Sequence, residues 1–502
     1  MGVLCALAIS LDGLAQSSRE MLFPRPFALA VDDLGWIQGG SQDLQNGPWR
    51  LGFKRVLTAR DYLPLVEIGK AVGIRIQGVF VLCELDRENV CAQYPSTTRD
   101  GRNWDNTRNR SDQQIKIMET IERNSAWLEF GLHGVGHEYW QDGVRKRAEW
   151  YNLEEERPWQ ESEIRDHIEC FKKIMAQYGL TSESGQSFPE SFVPCAYGYY
   201  WNPSAKPYSL GKVLRENGVK YVNSPLEAIR YQNPPANSDG GFDNGVLVLD
   251  RQNFGNEWWE PATLPRLPVN EFRTDIVEAH WTNLLATDDV FQKGLNERWI
   301  KLLQSIQARP DRYLAKNTEQ LYAQWLYKKY TRVVQEGSGL VTIDNRSMPV
   351  EALSGGFAAP LVLKIKLGEG KHISQAILNG QPIPAYMENQ GYGFLYLPPL
   401  ERRAYRLSYQ TGLTLPELTV LNQGSYNVYS RRLLDRGVAF TLRTYGTQDV
   451  FTTSMKAPSE ISCSNPKLSV VRSQFLPERQ LIVTRLSAND IQGETGELRL
   501  LF

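Results

Sequence analysis

Five histidines occur in the 502 residues, and two of them lie four apart in His133-Gly134-Val135-Gly136-His137. Imidazoles at that spacing can converge on one point, as a divalent metal of the zinc type requires. The intervening glycines allow close approach of backbone or ligand. A second polar pair stands far upstream, where the apolar run Phe27-Ala28-Leu29-Ala30-Val31 ends in Asp32-Asp33. Adjacent carboxylates at the end of a buried strand are costly to desolvate unless a cation or hydrogen bonds compensate them. Successive side chains of an extended segment point opposite ways, so one Asp can ligate a metal while the other does different work. One Asp and two His leave a fourth position open for water, as in a catalytic rather than a structural site. Each motif also has a plain alternative: half-buried histidines at a strand end, and an Asp pair in a turn before Gly35.

The elements that must carry these residues follow from periodicity. Phe27–Val31, Ile74–Val81, Trp127–Leu132, Ser191–Ala196, Lys220–Val222, Gly245–Asp250 and Asp275–Trp281 read as strands or extended segments. Between them Tyr62–Val72, Asp112–Arg123, Glu161–Tyr178, Ser209–Asn217 and Asp289–Gln307 read as helices, and Asn317 is a candidate N-cap for a further helix to Thr331. This βα repetition predicts an α/β domain with parallel strands, either a barrel or a doubly wound sheet. In parallel barrels function gathers at the C-terminal strand ends, and Asp32-Asp33, His133 and His280 all fall there. After Gln335-Glu336-Gly337-Ser338-Gly339 the pattern changes to short alternating strands. It predicts two β-sandwich-like modules, 338–410 and 411–502, following a domain over 21–335. Such modules serve equally as carbohydrate binders or as packing platforms.

Strand-Asp32-Asp33 followed by strand-His133-x3-His137 resembles the polysaccharide deacetylase family, the NodB-like carbohydrate esterases, in motif order over roughly residues 24–310. The resemblance implies an irregular seven-stranded (β/α) barrel, with Asp32 as general base and Asp33, His133 and His137 as ligands of a divalent metal, Zn²⁺ foremost. It places a general acid at His280, although Glu278-Ala279 precede it where the family has a leucine two residues before. The implied reaction is removal of acetyl groups from an N- or O-acetylated polysaccharide. One departure stands out. The family carries an Arg in an R-x-P-x-G context that pairs with the base, and this chain reads Phe192-Val193-Pro194-Cys195-Ala196-Tyr197-Gly198. Losing that partner changes the pKa of the base; Arg251 is the candidate replacement from elsewhere.

Thirteen Trp and 23 Tyr suit sugar rings better than phosphates. Tyr139, Trp140, Tyr197, Tyr199, Trp201, Trp258, Trp259 and Trp281 are the candidates for stacking. A net charge of −1 gives no general attraction for nucleic acid. Residues 1–20 contain a short apolar run, Val3–Ser10, and small residues like those of a signal peptide lacking its positive start, which points to a secreted, periplasmic or cell-surface protein. No later stretch is long and apolar enough for a transmembrane segment. Cys83, Cys91, Cys170, Cys195 and Cys463 lack C-x2-C spacing; export would permit a Cys83–Cys91 disulfide, while buried thiols are the commoner case. His167 and His372 read as surface residues. Two other functions fit the sequence: a non-catalytic carbohydrate-binding protein on a degenerate barrel, and a glycosidase, for which Asp250 or Glu260 would have to serve.

Overall fold

A computed structural model describes residues 21–40, 47–202, 204, 206–230 and 239–502. The expected signal segment, 1–20, lies outside the described residues. The site is carried by a ten-stranded sheet. Its strands are β1 (Arg25–Leu34), β2 (Ile76–Val81), β3 (Leu128–Gly134), β4 (Ser191–Phe192), β5 (Tyr221–Ser224), β6 (Gly240–Asp243), β7 (Val246–Asp250), β8 (Gln252–Asn253), β9 (Ile276–His280) and β10 (Arg312–Leu314). The path runs β8-β9-β1-β2-β3-β4-β5-β7-β6, with β10 beside β1.

The expected α/β fold with an irregular (β/α) barrel is corrected by this topology. The described residues are 35% strand and 25% helix, and the sheet forms a half-barrel of mixed strands. Regular alternation fails at several points. β4 has only two residues, β6 is antiparallel to β7, and the stretch between β2 and the next helix is a series of short 3₁₀ turns. The two ends of the path approach each other at one residue. β7 pairs with β5, β8 pairs with β9, and Arg251 alone separates β7 from β8.

The helices lie close to their sequence-predicted spans: α1 (Leu63–Val72), α2 (Asp112–Arg123), α3 (Glu161–Ala176), α4 (Leu210–Glu216), α5 (Gln292–Gln307) and α6 (Thr318–Tyr330). Asn317 caps α6 as expected, its side chain accepting the Gln320 N–H at 3.0 Å. Helix α6 is buried from Thr318 to Tyr327, because it lies between the site-bearing sheet and the C-terminal strands. A helix buried all round must satisfy its polar side chains internally. Gln324 does so by exchanging two hydrogen bonds with the Val362 backbone, both 2.9 Å. Glu319 accepts from Asn427 and Tyr429.

The C-terminal region is mostly β, with one short α-helix at Val350–Ser354. Its eight-stranded sheet mixes strands from both expected modules, because Ala385–Tyr386 pairs in parallel with Val420–Leu421. The strands Arg332–Gly337 and Ala404–Gly412 each run across an expected boundary, at 335 and at 410. The short strand Met21–Leu22 joins this sheet beside Leu361–Lys366. One apolar core runs from Tyr221, Leu247 and Ile276 of the site-bearing sheet through α6 to Leu363, Leu395 and Phe440. Among the described residues no helix is long and apolar enough to cross a membrane.

Glu190 ties the two regions together, paired with Lys220 at 2.8 Å and with Arg443 of the C-terminal strand Gly437–Thr444 at 2.9 Å. Burial pushes its carboxyl up, but the two cations outweigh burial and hold it below the ordinary value of 4.5. Its stabilising contribution is therefore complete above pH 4.5 and lost as pH falls through the depressed folded value. Glu190→Gln should cost about 1.5–3 kcal/mol at pH 7, the worth of a hydrogen bond to a charged group. Urea unfolding across pH should show the gap to wild type closing below pH 4.5, and a pH-independent gap would refute this account.

Candidate functional site

Two irregularities side by side bring the polar residues together. The β1–β2 ladder slips between Val31 and Leu34, and the β2–β3 ladder slips at His133, between Phe80 and Val81 on β2. At the first slip Asp33 takes φ +68°, a left-handed conformation costly for a residue with a Cβ. The bulge breaks strand alternation, and the Asp33 carboxylate turns toward three histidines. Asp33 Oδ1 lies 3.2 Å from His133 Nε2 and 3.6 Å from His137 Nε2; Asp33 Oδ2 lies 4.0 Å from His280 Nε2. In the parallel β9–β1 register His280 stands opposite Asp32.

The His133 Nδ1–H donates to the Val193 carbonyl at 2.7 Å, which in the neutral ring leaves Nε2 as a bare lone pair facing Asp33. Both Asp33 oxygens are buried without a hydrogen-bond donor. Two electron-pair donors 3.2 Å apart repel unless a metal cation or a proton lies between them. Ligands bound tetrahedrally to zinc at ordinary lengths stand roughly 3.4 Å apart, which matches both Asp33–histidine separations. The buried group His133, His137 and Cys195, whose donor atoms all lie within 4.8 Å of one another, could hold a metal ion. Burial pushes the Cys195 thiol up, and its S–H donates to the His133 carbonyl at 3.2 Å.

Asp32 has a different partner. Arg251, fully buried at the seam of the sheet, grips it through both oxygens at 3.0 and 2.6 Å. Burial alone would raise the Asp32 carboxyl, but Arg251 outweighs it and holds the group below the usual carboxylate range. Glu278, on the same face of β9 as His280, lies 3.4 Å from Arg251 and accepts the Tyr197 hydroxyl. Sequence reasoning passed over Glu278, although the two-residue period of a strand puts it on the face of His280.

Glu149 was also missed. Its carboxylate accepts the backbone N–H groups of Val135 at 2.8 Å, Gly136 at 3.3 Å and His137 at 2.9 Å. It also takes the His167 Nδ1–H at 2.8 Å, and His167 Nε2 is 2.9 Å from the Ser96 hydroxyl. His167 is therefore buried at 0% exposure, contrary to the surface position expected of it. Its helix looks polar because the carboxylate it serves comes from another segment. His372 is half-exposed and paired with Glu388, close to expectation. The glycines of the histidine loop signal a backbone nest that needs an anion; nothing local says which carboxylate fills it.

The eight aromatic candidates divide. Tyr139, Trp140, Tyr199, Trp201 and Trp281 are buried and present no face to a sugar. Tyr199 donates to Asp243 and Trp281 to the Asp61 carbonyl. Tyr197 is half-buried with its ring 5.3 Å from the Arg251 guanidinium. Trp258 and Trp259 line a cleft of about 650 Å³ with Trp49, which stacks on His137 at 4.9 Å and was not anticipated. Of the two residues a glycosidase would need, Asp250 accepts the Leu226 N–H and Glu260 is paired with Arg266. Cys91 lies against Cys170, the sulfurs 3.8 Å apart, rather than against Cys83.

The loop's glycines make a sharp test. A Cβ on Gly136 would stand 1.8 Å from the Thr97 carbonyl oxygen, whereas one on Gly294, in the exposed first turn of α5, meets nothing within 4 Å. Gly136→Ala should cost about 1–3 kcal/mol by overpacking and abolish metal retention, while Gly294→Ala should leave both intact or add stability. Equal metal retention in the two variants, read by mass spectrometry, would show that the loop does not shape the site.

Compared with known proteins, the chain matches no family model and no curated protein.

Proposed function

We propose that the protein is a metal-dependent deacetylase of an N- or O-acetylated polysaccharide, with Asp33, His133 and His137 as ligands and zinc as the metal these donors suit. The observation that carries this reading is the opposite partnering of two adjacent buried carboxylates. Asp33 faces imidazole nitrogens with no donor of its own, and Asp32 is clamped by a buried guanidinium. When bound, a zinc ion supplies Lewis acidity that polarises an acyl carbonyl and makes water acidic enough to attack near neutral pH.

The chain's own groups account for the proton traffic. Asp32 is the base that accepts a proton from the attacking water. Arg251 keeps it ionised and fixes the plane of its oxygens, at the cost of some basicity. His280, at 9% exposure, is the candidate acid for the leaving amine or alkoxide. Trp258 and Trp259 offer ring faces to the glycan. Cys195, kept protonated by burial, is a weaker donor than Asp33 and is not needed as a ligand.

Mass spectrometry of the intact chain should find near one equivalent of zinc, lost in Asp33→Ala and His133→Ala while circular dichroism shows both folded. Acetate release from acetylated glycans should vanish with it. Retained metal in both variants, or sugar reducing ends in place of acetate, would sink the reading. Metal bound without turnover would favour a carbohydrate-binding role.

Arg251→Gln should leave the metal content unchanged. Because the guanidinium lowers the Asp32 pKa, removing it moves the acidic limb of the rate profile upward by about 1–3 pH units. An unmoved limb would remove Asp32 as the base.

A further inference from the structure

The cleft beside the histidine loop combines stacked aromatic rings with positive charge that no carboxylate among the described residues pairs. Trp49 lies on His137, Trp258 lies 3.8 Å from Trp49, and Trp259 meets Trp258 edge to face at 5.0 Å with half its surface exposed. Lys54, Arg145 and Arg147 line the same space. Arg147 sits 5.4 Å from the Trp49 ring, and Arg145 donates one N–H to the Gly47 carbonyl at 3.1 Å. Among the described residues, no carboxylate lies within ion-pair distance of any of these three cations. Glu138 is the one carboxylate among the described lining residues, and it is buried, accepting the Trp49 N–H. The fourth cation, Arg50, is already paired with Glu84 at 2.7 Å. Lys54 and Trp259 also border a neighbouring cleft of about 370 Å³, so the charged aromatic surface continues beyond the first.

We infer that this cleft takes an anionic glycan, one with uronate carboxylates next to the acetylated sugar; the inference rests on the deacetylase reading for what happens at the histidines. A neutral glycan would be served by the rings alone. It would leave two guanidinium groups and an ammonium along the cleft without a carboxylate partner among the described residues. A planar carboxylate matches the guanidinium fork through two hydrogen bonds, and as a basic acceptor it binds more strongly than a sulfate ester. The aromatic row supplies apolar contact along the same path, so ring stacking and charge pairing act on one ligand.

The test is binding to the full chain after metal removal with a chelator, measured by calorimetry. The probes are acetylated polygalacturonate, the same polymer with its carboxyls reduced to alcohols, a sulfated neutral glycan, and single-stranded DNA. The polyuronate should bind at least about tenfold tighter than its carboxyl-reduced form, with the advantage shrinking as salt rises. Lys54→Gln/Arg147→Gln, two exposed positions, should erase that preference. Equal affinity for the reduced polymer, or a preference that survives the double variant, would overturn the inference; so would tighter binding of the sulfated glycan or the DNA. If the preference holds but no acetylated polymer releases acetate from the zinc-loaded protein, the cleft assignment stands and the deacetylase reading falls.

Discussion

Burying a carboxylate is tolerable when an opposite charge or a set of hydrogen-bond donors compensates it, and the pairing of Asp32 with Arg251 meets that condition at the centre of the protein. Arg251 is itself buried and has a second carboxylate, Glu278, within 3.4 Å. Asn223 lies at 3.4 Å from the guanidinium and donates in turn to Gln77 at 3.0 Å. Neighbouring strands thus contribute polar side chains to one interior network. Asp33 stands just outside this arrangement, buried beside His133 and His137 with no hydrogen-bond donor to its oxygens. A parallel device operates one shell outward. Glu149 is buried at 0% exposure because backbone N–H groups and His167 surround it. The loop that carries the histidines therefore has its shape set by a charge placed beneath it.

The C-terminal strands bear on the site indirectly. They cover α6, and α6 packs against Tyr221, Leu247 and Ile276 of the sheet, its Tyr322 hydroxyl lying 3.4 Å from Asn223 of the polar interior. The contacts are specific as well as apolar. Arg75 donates to the Ile491 carbonyl at 2.8 Å and Gln492 to the Phe130 carbonyl at 2.8 Å, so β3, which carries His133, is held by the turn that precedes the final strand Glu494–Leu501. The region packs against the site-bearing sheet through α6, and its strands cannot be divided at residue 410 without cutting a shared sheet.

The individual elements were legible in the sequence to a degree that their assembly was not. Apolar spacing marked Asp112–Arg123 residue for residue, and an asparagine before an aromatic-rich helix marked the α6 cap. The polar ends of Val31 and Leu132 marked the site, since charged residues terminating buried strands need a reason. Closure was illegible because it depends on pairings that leave no periodic trace, such as a two-residue β4 and an antiparallel β6. Local pattern also fails to tell a buried aromatic from an exposed one. Trp281 and Trp259 both sit in short polar-flanked stretches, yet one is packed at 0% and the other is 50% exposed. The replacement for the missing arginine was half visible: a charged residue directly after an apolar strand ending at Asp250 is conspicuous, but its partner 219 residues away is a matter of topology.

That separation has a consequence for how the molecule comes into being. Loop closure across 219 residues is entropically expensive and must be repaid by contacts that exist only once both ends of the sheet have curled toward each other. Contacts of such sequence distance raise contact order and form late. A nascent chain that has emerged only as far as β5 already holds Asp32, Asp33, His133 and His137, yet it lacks the cation that makes an ionised Asp32 tolerable in the interior. The compensated pair of Asp32 and Arg251 is thus absent from partly synthesised forms and is assembled only in the finished architecture, so that the polar interior forms with completed folding.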